Sequence, residues 1–468
     1  MSFGTFDSGL TGGVSTYCGE RSWEDFREKG DAMKKYFLWV IPAVVVLLIA
    51  SFGPVSALDE ILTDEEQLGK SIFFDNNLSI NLNQSCASCH GPEVGWTGPD
   101  ESINAAGAVY EGSIPGRIGN RKPPSVAYAT QSPIFHMDKK GTFIGGNFWD
   151  GRATGERLGN PAADQAQGPF LNPLEQGLPD SACVVYQVST GSYPVSFEEV
   201  WGTGVGAINW PGDVEAVCAT EDTTVTLSDE DRVRSNQAYD QIALSIAAYE
   251  ASPEVNAFTS EYDLSKGGNA KLSKQEQKGF ALFQGKAGCK ACHPSTGKEA
   301  LFTDFTFDNL GVPRNPDNPF YSADAVWNPD GFDWVDFGLG GFLGSRSDYA
   351  GYADANAGKH KVPTLRNVAK GSCEAEPDNP DCIVKAYGHN GYFKSLEGIV
   401  HFYNTRDVKP TCADLFTSEA DALTQSCWPA PEVAENVNTD ELGDLGLTSD
   451  EEAAIVAFLK TLSDGYLP

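Results

Sequence analysis

Two short cysteine motifs are the residues of this chain best suited to chemistry. They are Cys86-Ala-Ser-Cys89-His90 and Cys289-Lys-Ala-Cys292-His293. In a Cys-x-x-Cys-His motif the two thiols attach a haem covalently, and the histidine binds its iron. A Cys-x-x-Cys pair can instead hold zinc or act as a redox dithiol. The chain has only 6 histidines, and two of them directly follow these pairs, which favours two covalently bound haem c groups.

The second axial ligand of each iron is not fixed by these motifs. Methionine, the ligand typical of electron-carrying cytochromes, occurs only 3 times. Two of those, Met1 and Met33, precede the expected mature chain, so a Met/His haem is possible only through Met137. The other candidates are the tyrosines and four histidines: His136, His360, His389 and His401.

A helical pattern near the carboxyl terminus narrows this choice. Leu396, Ile399, Val400 and Tyr403 share one face of the predicted helix, so His401 points elsewhere. Only one of Tyr403 and His401 can therefore face a haem. The pattern alone leaves open whether Tyr403 binds iron or packs in the core with its hydroxyl satisfied.

Similar segments precede the two haem motifs, at residues 62–69 and 272–279. Each contains the order Ser/Thr-x-x-Glu, beginning at Thr63 and at Ser273. This order is typical of a capping box, in which the hydroxyl and the carboxylate satisfy backbone N–H groups at a helix start. The chain is therefore predicted to repeat one unit, with a helix opening each copy.

A closing helix is predicted for each copy, over residues 238–249 and 449–462, from apolar residues at helical spacing. An opening helix, a haem motif and a closing helix suffice for a small haem domain, because the haem replaces much of the core. We therefore expect a mainly α fold of two cytochrome c-like haem domains, spanning 58–255 and 256–468. Residues 1–57 precede them.

Three long stretches are rich in Gly, Pro, Asn and Asp: residues 91–125, 155–235 and 308–362. We predict that they form long ordered loops, which on a rigid frame often carry binding and catalytic residues. Their interspersed aromatic residues argue against disorder.

The first 57 residues indicate export. A basic segment at 33–35 is followed by an apolar run at 36–52 and by small residues, with expected cleavage after Ala57, the order of a signal peptide. Residues 1–32 are then an upstream extension or the result of a start codon placed too early. An uncleaved membrane anchor is the alternative, although the run is short for the ~20 residues that a span needs. We expect a periplasmic protein.

The cysteine content agrees with export. After the haem-motif cysteines and Cys18, an even number of the 11 cysteines remains, which predicts disulfides in an exported chain. Sequence order favours the pairs Cys183 with Cys218, Cys373 with Cys382, and Cys412 with Cys427.

The chain is strongly acidic, with a formal net charge of -32. Such a surface repels nucleic acid and anionic lipid, so neither is an expected partner. It is also an ordinary solubilising surface, and it identifies no partner by itself.

Further segments resemble, in order and spacing, those of the bacterial di-haem cytochrome c peroxidase / MauG family. Besides the haem motifs, the matching pieces are residues 147–153, 165–175, 361–368 and 387–391. The resemblance covers nearly all of the chain after the signal segment. It implies an enzyme that uses hydrogen peroxide to raise haem iron to a high-valent state and then oxidises a redox donor.

The resemblance implies roles for particular residues. It makes the haem of His90 the peroxide-reacting one, with Glu175 and Gln165 in its distal pocket and Pro169 nearby. A carboxylate there can take the proton of peroxide and return it to the leaving oxygen. Trp149 matches a tryptophan that relays electrons between the haems. By residue type alone, Glu175 would be a surface residue and Trp149 a buried aromatic.

Two departures from the family pattern bear on the irons. Many family members place a histidine after the first motif, where it caps the active iron, but no histidine lies between His90 and His136. The active haem is therefore expected to be open. The position fourteen after His389, a methionine in those peroxidases, is Tyr403 here, as in MauG. The resemblance thus implies that Tyr403 is the second ligand of the haem of His293.

A calcium ion usually lies between the haems of this family, bound partly by an asparagine side chain. The matching residue here is Lys122. Two alternatives stay open: the Lys122 ammonium takes the place of the ion, or Asn120 supplies the missing ligand. His136 has no counterpart in the family and no assigned role.

Three functions follow from these expectations. The first is a MauG-type enzyme that oxidises a protein side chain or another one-electron donor. The second is a cytochrome-c peroxidase that removes hydrogen peroxide with electrons from a small cytochrome or copper protein. The third is a non-enzymatic di-haem electron carrier, which would have two six-coordinate irons and no need of Glu175.

Overall fold

The computed structural model describes residues 61–468. Within that range most regular structure is α-helix, and strands form two antiparallel two-stranded sheets. The mainly α class is therefore confirmed. The predicted upstream extension, the signal peptide and Cys18 lie outside the described residues. No described helix combines the length and the apolar character needed to cross a membrane.

The helices lie between long connections. In chain order they are α1 Asp64–Phe73, α2 Glu101–Ala105, α3 Pro161–Leu171, α4 Ser181–Thr190, α5 Pro194–Trp201, α6 Val214–Cys218, α7 Asp229–Ala251, α8 Glu261–Lys266, α9 Lys274–Gln284, α10 Gly338–Gly344, α11 Leu396–Thr405, α12 Glu419–Gln425 and α13 Ser449–Lys460. The strands pair as β1 His136–Met137 with β2 Phe143–Ile144, and as β3 Phe307–Asp308 with β4 His360–Lys361.

Both predicted opening helices form, and both begin at their capping boxes. Thr63 pairs with Glu66 at the start of α1, and Ser273 pairs with Glu276 at the start of α9. In each pair the hydroxyl accepts from a backbone N–H while the carboxylate accepts from the N–H of the cap residue. This reciprocal bonding fixes where each helix starts.

The opening helices pack on the predicted closing helices, α1 on α7 and α9 on α13. Equivalent glycines allow the close contact. A Cβ atom on Gly69 would lie 1.8 Å from the carbonyl oxygen of Ser245, and one on Gly279 would lie 1.8 Å from that of Ala454. Helix α7 begins at Asp229, earlier than its apolar pattern predicted, because Ser228 caps it.

Two apolar clusters surround these helix pairs. The first contains Phe73 and Ile242 and draws its buried members from residues 68–255. The second contains Phe283 and Phe458 and draws its buried members from residues 262–462. Each cluster lies beside one haem motif, since Cys86 packs on the first and Cys289 on the second.

The loop prediction for residues 155–235 was wrong. This stretch contains α3, α4, α5 and α6 as well as the start of α7. Its polar residues include helix caps, such as Asn160 before α3 and Asp180 before α4. Asn and Asp favour caps as well as turns, so composition alone did not separate the two. Residues 91–125 and 308–362 are mostly irregular, apart from α2, α10, the β3–β4 pair at the two ends of the second stretch, and short 3₁₀ turns.

The three predicted disulfides are confirmed. They join Cys183 to Cys218, Cys373 to Cys382 and Cys412 to Cys427. The remaining cysteines of the described residues belong to the haem motifs and carry free thiols. The thiols that haem attachment requires are thus the ones left available.

Candidate haem centres and active site

One cavity of about 430 Å³ receives side chains from both haem motifs. Every residue to which the sequence assigned a site role lies in its lining. These residues are Cys86, Cys89, His90, Trp149, Gln165, Pro169, Glu175, Cys289, Cys292, His293 and Tyr403. The fold therefore brings the whole predicted set together, although its members come from distant parts of the chain.

The two motif histidines are oriented in the same way. His90 Nδ1 lies 3.2 Å from the carbonyl oxygen of Trp96, and His293 Nδ1 lies 2.8 Å from that of Phe302. Because a carbonyl only accepts, Nδ1 carries the proton and Nε2 keeps a free lone pair. Burial lowers the pKa of His90 to about 4 and also lowers that of His293. Both imidazoles are therefore neutral and suited to bind iron.

The motif cysteines lie in 3₁₀ turns at Cys86–Ser88 and Cys289–Ala291. Burial raises the pKa of Cys86, Cys289 and Cys292 to about 12 in each case, and raises that of Cys89 as well. These thiols are protonated and face the cavity with a neutral imidazole beside each pair. Two thiols and one imidazole per motif are the donor set that a covalent haem needs.

Helix α3 and the turn after it form the wall that carries Glu175. Gln165 and Pro169 lie on α3, and Glu175 follows in a turn closed by its backbone N–H to the carbonyl oxygen of Asn172, at 2.9 Å. The Asn172 amide also donates to Glu175 Oε1, at 2.9 Å. Burial raises the pKa of Glu175, opposed by the charge of Arg152. A positioned carboxyl with a raised pKa is suited to accept and return a proton.

Trp149 is held by hydrogen bonds at two points. Its indole N–H donates to the carbonyl oxygen of Lys122, at 2.7 Å, and its own carbonyl oxygen accepts from the backbone N–H of Lys361, at 2.8 Å. Only 8% of Trp149 is exposed. The ring is thus fixed in a cavity that both haem motifs line. Its role as an electron relay stays a prediction.

Helix α11 separates Tyr403 from His401 as its apolar pattern predicted. Tyr403 lines the cavity. His401 points away, with Nδ1 3.0 Å from a carboxylate oxygen of Glu452. Burial raises the pKa of the Tyr403 phenol above its usual range, and the phenol lies near Cys289 and Cys292. The phenol therefore stays protonated until a metal or a base takes its proton.

Two other candidate ligands lie outside the lining. His136 is exposed, with Nδ1 2.8 Å from the carbonyl oxygen of Ile134. Met137 packs beside a small apolar cluster that contains Phe135 and Phe143. Neither residue is placed to bind a haem in the cavity that the motifs share.

Lys122 is buried where the resemblance places calcium. Its ammonium donates to Thr97 Oγ1, at 2.6 Å, and to the carbonyl oxygen of Pro123, at 3.0 Å. Burial lowers the pKa of Lys122 to about 7. Asn120 also reaches the cavity lining, so both alternatives for this position remain predictions.

Sequence reasoning missed several other charged residues of the lining. Lys385 is buried, and its ammonium donates to three backbone carbonyl oxygens. Glu250, on α7, is also buried, and burial alone raises its pKa to about 8. Arg152 pairs with Asp150 at 2.8 Å, and its guanidinium lies over the Phe148 ring. Arg152 lies in segment 147–153, which resembles the family, and this resemblance was a signal that could have identified it. Lys385 and Glu250 had no such signal in the sequence.

Comparison with known proteins agrees with this arrangement. The sequence profile of the family described as di-haem cytochrome c peroxidase matches residues 63–271. The methylamine utilization protein MauG of Paracoccus denitrificans (strain Pd 1222) is 33% identical over 403 residues, which cover 85% of this chain and 88% of that protein. The cytochrome-c peroxidase IdrP1 of Denitromonas iodatirespirans is 26% identical over 421 residues, or 88% of this chain and 84% of that protein.

Among solved structures, the diheme peroxidase BthA from Burkholderia thailandensis E264 is similar, with a TM-score of 0.63 and 26% sequence identity. The match covers 88% of this chain and 89% of that one. The identity with MauG over most of both proteins and the agreement in fold establish the relationship. The chain therefore belongs to the di-haem cytochrome c peroxidase / MauG family of peroxide-dependent oxidoreductases, which implies two c-type haems.

Proposed function

We propose that this family member is a peroxidase of MauG type. Hydrogen peroxide reacts at the haem bound through His90, in the pocket that holds Glu175, and a protein side chain or another one-electron donor is oxidised. The observation that carries this proposal is the position of Tyr403 in the cavity lining, beside the second haem motif. His401 is engaged by Glu452, and Met137 lies elsewhere.

Haem bound through His90 would supply the iron centre at which the O–O bond of peroxide breaks. Glu175 takes the proton from the attacking peroxide and returns it to the leaving oxygen. The Asn172 amide, 2.9 Å from Glu175 Oε1, holds the carboxyl in place. Gln165 and Pro169, on the same wall, shape the pocket and restrict water. We assign no capping histidine to this side.

Tyr403 is proposed as the second ligand of the haem of His293. A phenolate oxygen stabilises ferric iron, whereas a methionine sulfur favours the reduced state of a carrier. The phenol must lose its proton to bind, because metal ligands of this type bind deprotonated. Trp149, fixed between Lys122 and Lys361, would carry electrons between the two sides.

The division into two cytochrome c-like domains, 58–255 and 256–468, belongs to this proposal. Two repeated helix pairs, each with its own apolar cluster, support it. Export to the periplasm is proposed as well. It rests on the predicted signal segment and on three disulfides, which are typical of oxidising compartments.

The second candidate is a cytochrome-c peroxidase that removes peroxide with electrons from a small cytochrome or copper protein. The similarity to a protein named cytochrome-c peroxidase, over most of both chains, favours it. Both candidates use Glu175 in the same way and differ in where the electrons come from. The non-enzymatic carrier is set aside, because relatives along nearly the whole chain include named peroxidases.

A peroxide titration of the purified di-haem protein separates the two candidates. One equivalent of peroxide without donor should give a long-lived species two electrons more oxidised than the ferric protein. Turnover with reduced cytochrome c should be slow. Rapid return to the ferric state, together with fast turnover on reduced cytochrome c, would instead establish the peroxide-removing enzyme.

A further inference from the structure

Four buried side chains with metal-binding atoms meet in a part of the cavity lining that the proposed function does not use. His360 and His389 stack with their ring centroids 3.5 Å apart and their planes inclined by 7°. His360 Nε2 lies 3.4 Å from Asp336 Oδ2, and His389 Nε2 lies 3.6 Å from Glu432 Oε2. The ligand atoms of Asp336 and the two histidines all lie within 4.8 Å of one another.

The two imidazole nitrogens have no hydrogen-bond partner. Both Nε2 atoms are buried and unpaired within the part of the chain that the structure describes. Only 6% of the His389 side chain is exposed, and only 10% of that of His360. A buried nitrogen left without a partner destabilises the folded protein. Two such atoms side by side are therefore candidate ligands for a bound ion.

Two of the four groups, His360 and Asp336, are already held as ligands are held in metal sites. His360 Nδ1 lies 3.1 Å from the carbonyl oxygen of Gly358, which keeps the proton on Nδ1 and the lone pair on Nε2. Arg121 donates two hydrogen bonds of 2.6 Å to Asp336 and fixes that carboxylate. Outer hydrogen bonds of this kind orient ligands and are the usual support of a metal centre.

The negative charge of the two carboxylates also favours binding of a cation. Asp336 is paired with Arg121, but the side chain of Glu432 is only 3% exposed and forms no ion pair with a lysine or arginine of the described residues. Its other oxygen accepts from the backbone N–H of Asp336, at 3.2 Å. A buried carboxylate without a lysine or arginine partner is costly, and a divalent ion would offset that cost.

The geometry points to a third metal site in this chain, formed by Asp336, His360 and His389 with Glu432 beside them, which binds one divalent first-row transition-metal ion. Two imidazoles and carboxylate oxygens suit zinc, copper or ferrous iron, whereas calcium and magnesium prefer all-oxygen sites. Rotation of the two stacked rings would aim both nitrogens at one ion.

The site has a defined place relative to Trp149. The carbonyl oxygen of His389 accepts from the backbone N–H of Lys122, whose own carbonyl oxygen accepts from the Trp149 indole. His360 precedes Lys361, whose N–H donates to the Trp149 carbonyl oxygen. The ligands are thus tied to the tryptophan by short backbone links, and a bound dication would bias the potential at its ring. This site uses neither haem-motif residues nor Tyr403, so it does not depend on the proposed function.

Zinc binding by the di-haem holoprotein tests the site. The protein is treated with a chelator, dialysed to equilibrium against Zn²⁺ and analysed for zinc and iron by mass spectrometry. We expect one zinc for every two haem irons. His360→Ala and His389→Ala should each weaken binding by at least about tenfold, the smallest loss typical even of an outer partner. His136→Ala, which removes an exposed imidazole, should leave binding unchanged.

Two further measurements keep the test decisive if a histidine variant folds poorly. Glu432→Gln preserves shape and should also weaken zinc binding. Crystals of the unsubstituted protein, measured at the zinc absorption edge, should show an anomalous peak between the two imidazoles. The site is overturned if the unsubstituted protein binds no zinc, if its zinc lies elsewhere, or if folded His360→Ala and His389→Ala bind as tightly as it does.

Discussion

The two haem regions share a frame and differ in what that frame holds. In both, a glycine lets an opening helix contact a closing helix: Gly69 meets Ser245, and Gly279 meets Ala454. The motif histidines are held alike, each through Nδ1 to a carbonyl oxygen. The opposite walls differ, because one carries a carboxyl with a raised pKa at Glu175 and the other a phenol at Tyr403. The repeat therefore explains how haem is positioned, and the departures from it indicate the chemistry.

The largest expected effect comes from removing the carboxyl that only the first region has. Glu175→Gln keeps the hydrogen bond to Asn172 within reach but cannot take a proton. The rate of reaction with peroxide should fall by about 10²- to 10⁴-fold, the usual contribution of a positioned base. Stopped-flow absorbance measures this rate, and haem content should not change. Glu199→Gln, at an exposed glutamate, is the matched control. An unchanged rate in Glu175→Gln would mean that the Glu175 carboxyl does not act as the base in the reaction with peroxide.

The raised pKa of Glu175 also predicts how the rate of reaction with peroxide depends on pH. The carboxylate form is the base, so the rate should fall as pH drops through a pKa above the ordinary value of 4.5. In Glu175→Gln the rate should no longer fall at low pH in this way, while the rest of the pH–rate profile should keep its shape. If the fall in rate at low pH persists in the variant, it comes from a titrating group other than Glu175.

Replacing the phenol tests the other half of the comparison. Tyr403→Met supplies a thioether, which favours ferrous iron, so the reduction potential of the second haem should rise. The rise should be on the order of a hundred millivolts or more, within the ~0.8 V that axial ligands span. The long-lived oxidised species should disappear at the same time. Spectroelectrochemistry measures the potential. His401→Gln, on the other face of α11, should leave it unchanged, and no change in Tyr403→Met would exclude ligation.

A second buried acid distinguishes the regions less obviously. Glu250 follows Tyr249, whose Cβ lies against Gly69, and Leu459 follows Phe458, whose Cβ lies against Gly279. Glu250 and Leu459 are therefore equivalent positions, and both line the cavity. The first region has an acid where the second has an aliphatic side chain. We find no partner for the Glu250 carboxyl among the described side chains.

Burial raises the pKa of Glu250 from 4.5 to about 8. Between these values the unfolded chain has lost the proton and the folded protein keeps it. The stability contribution is therefore fully present below the unfolded pKa and is lost as pH rises towards about 8. Glu250→Leu, which copies the second region, should remove this loss, worth on the order of a few kcal/mol. Denaturant midpoints from pH 5 to 8 measure it, and parallel curves for both proteins would contradict it.

Local signals carried most of what the sequence predicted. The haem motifs, the capping boxes and the α11 pattern around Tyr403 each depend on neighbours within a few residues. The disulfides also join cysteines close in sequence. The helices within 155–235 were missed because their polar caps resemble loop residues. The His360–His389 stack and the buried Glu250 had no local signal, because the residues around them come from distant segments.

The smallest expected effect tests the shared frame itself. Gly69→Ala and Gly279→Ala each place a Cβ 1.8 Å from a carbonyl oxygen of the closing helix, so the helices must move apart. Each substitution should cost about 1 to 3 kcal/mol, as overpacking usually does, and should lower the thermal midpoint. Gly204→Ala, where an added Cβ meets nothing within 4 Å, is the control. Both regions use the same helix packing, even though their cavity walls differ. Both variants should therefore lower the free energy of unfolding by similar amounts. If one variant lost much stability and the other none, the two regions would share a sequence pattern but not the same dependence of stability on this helix contact.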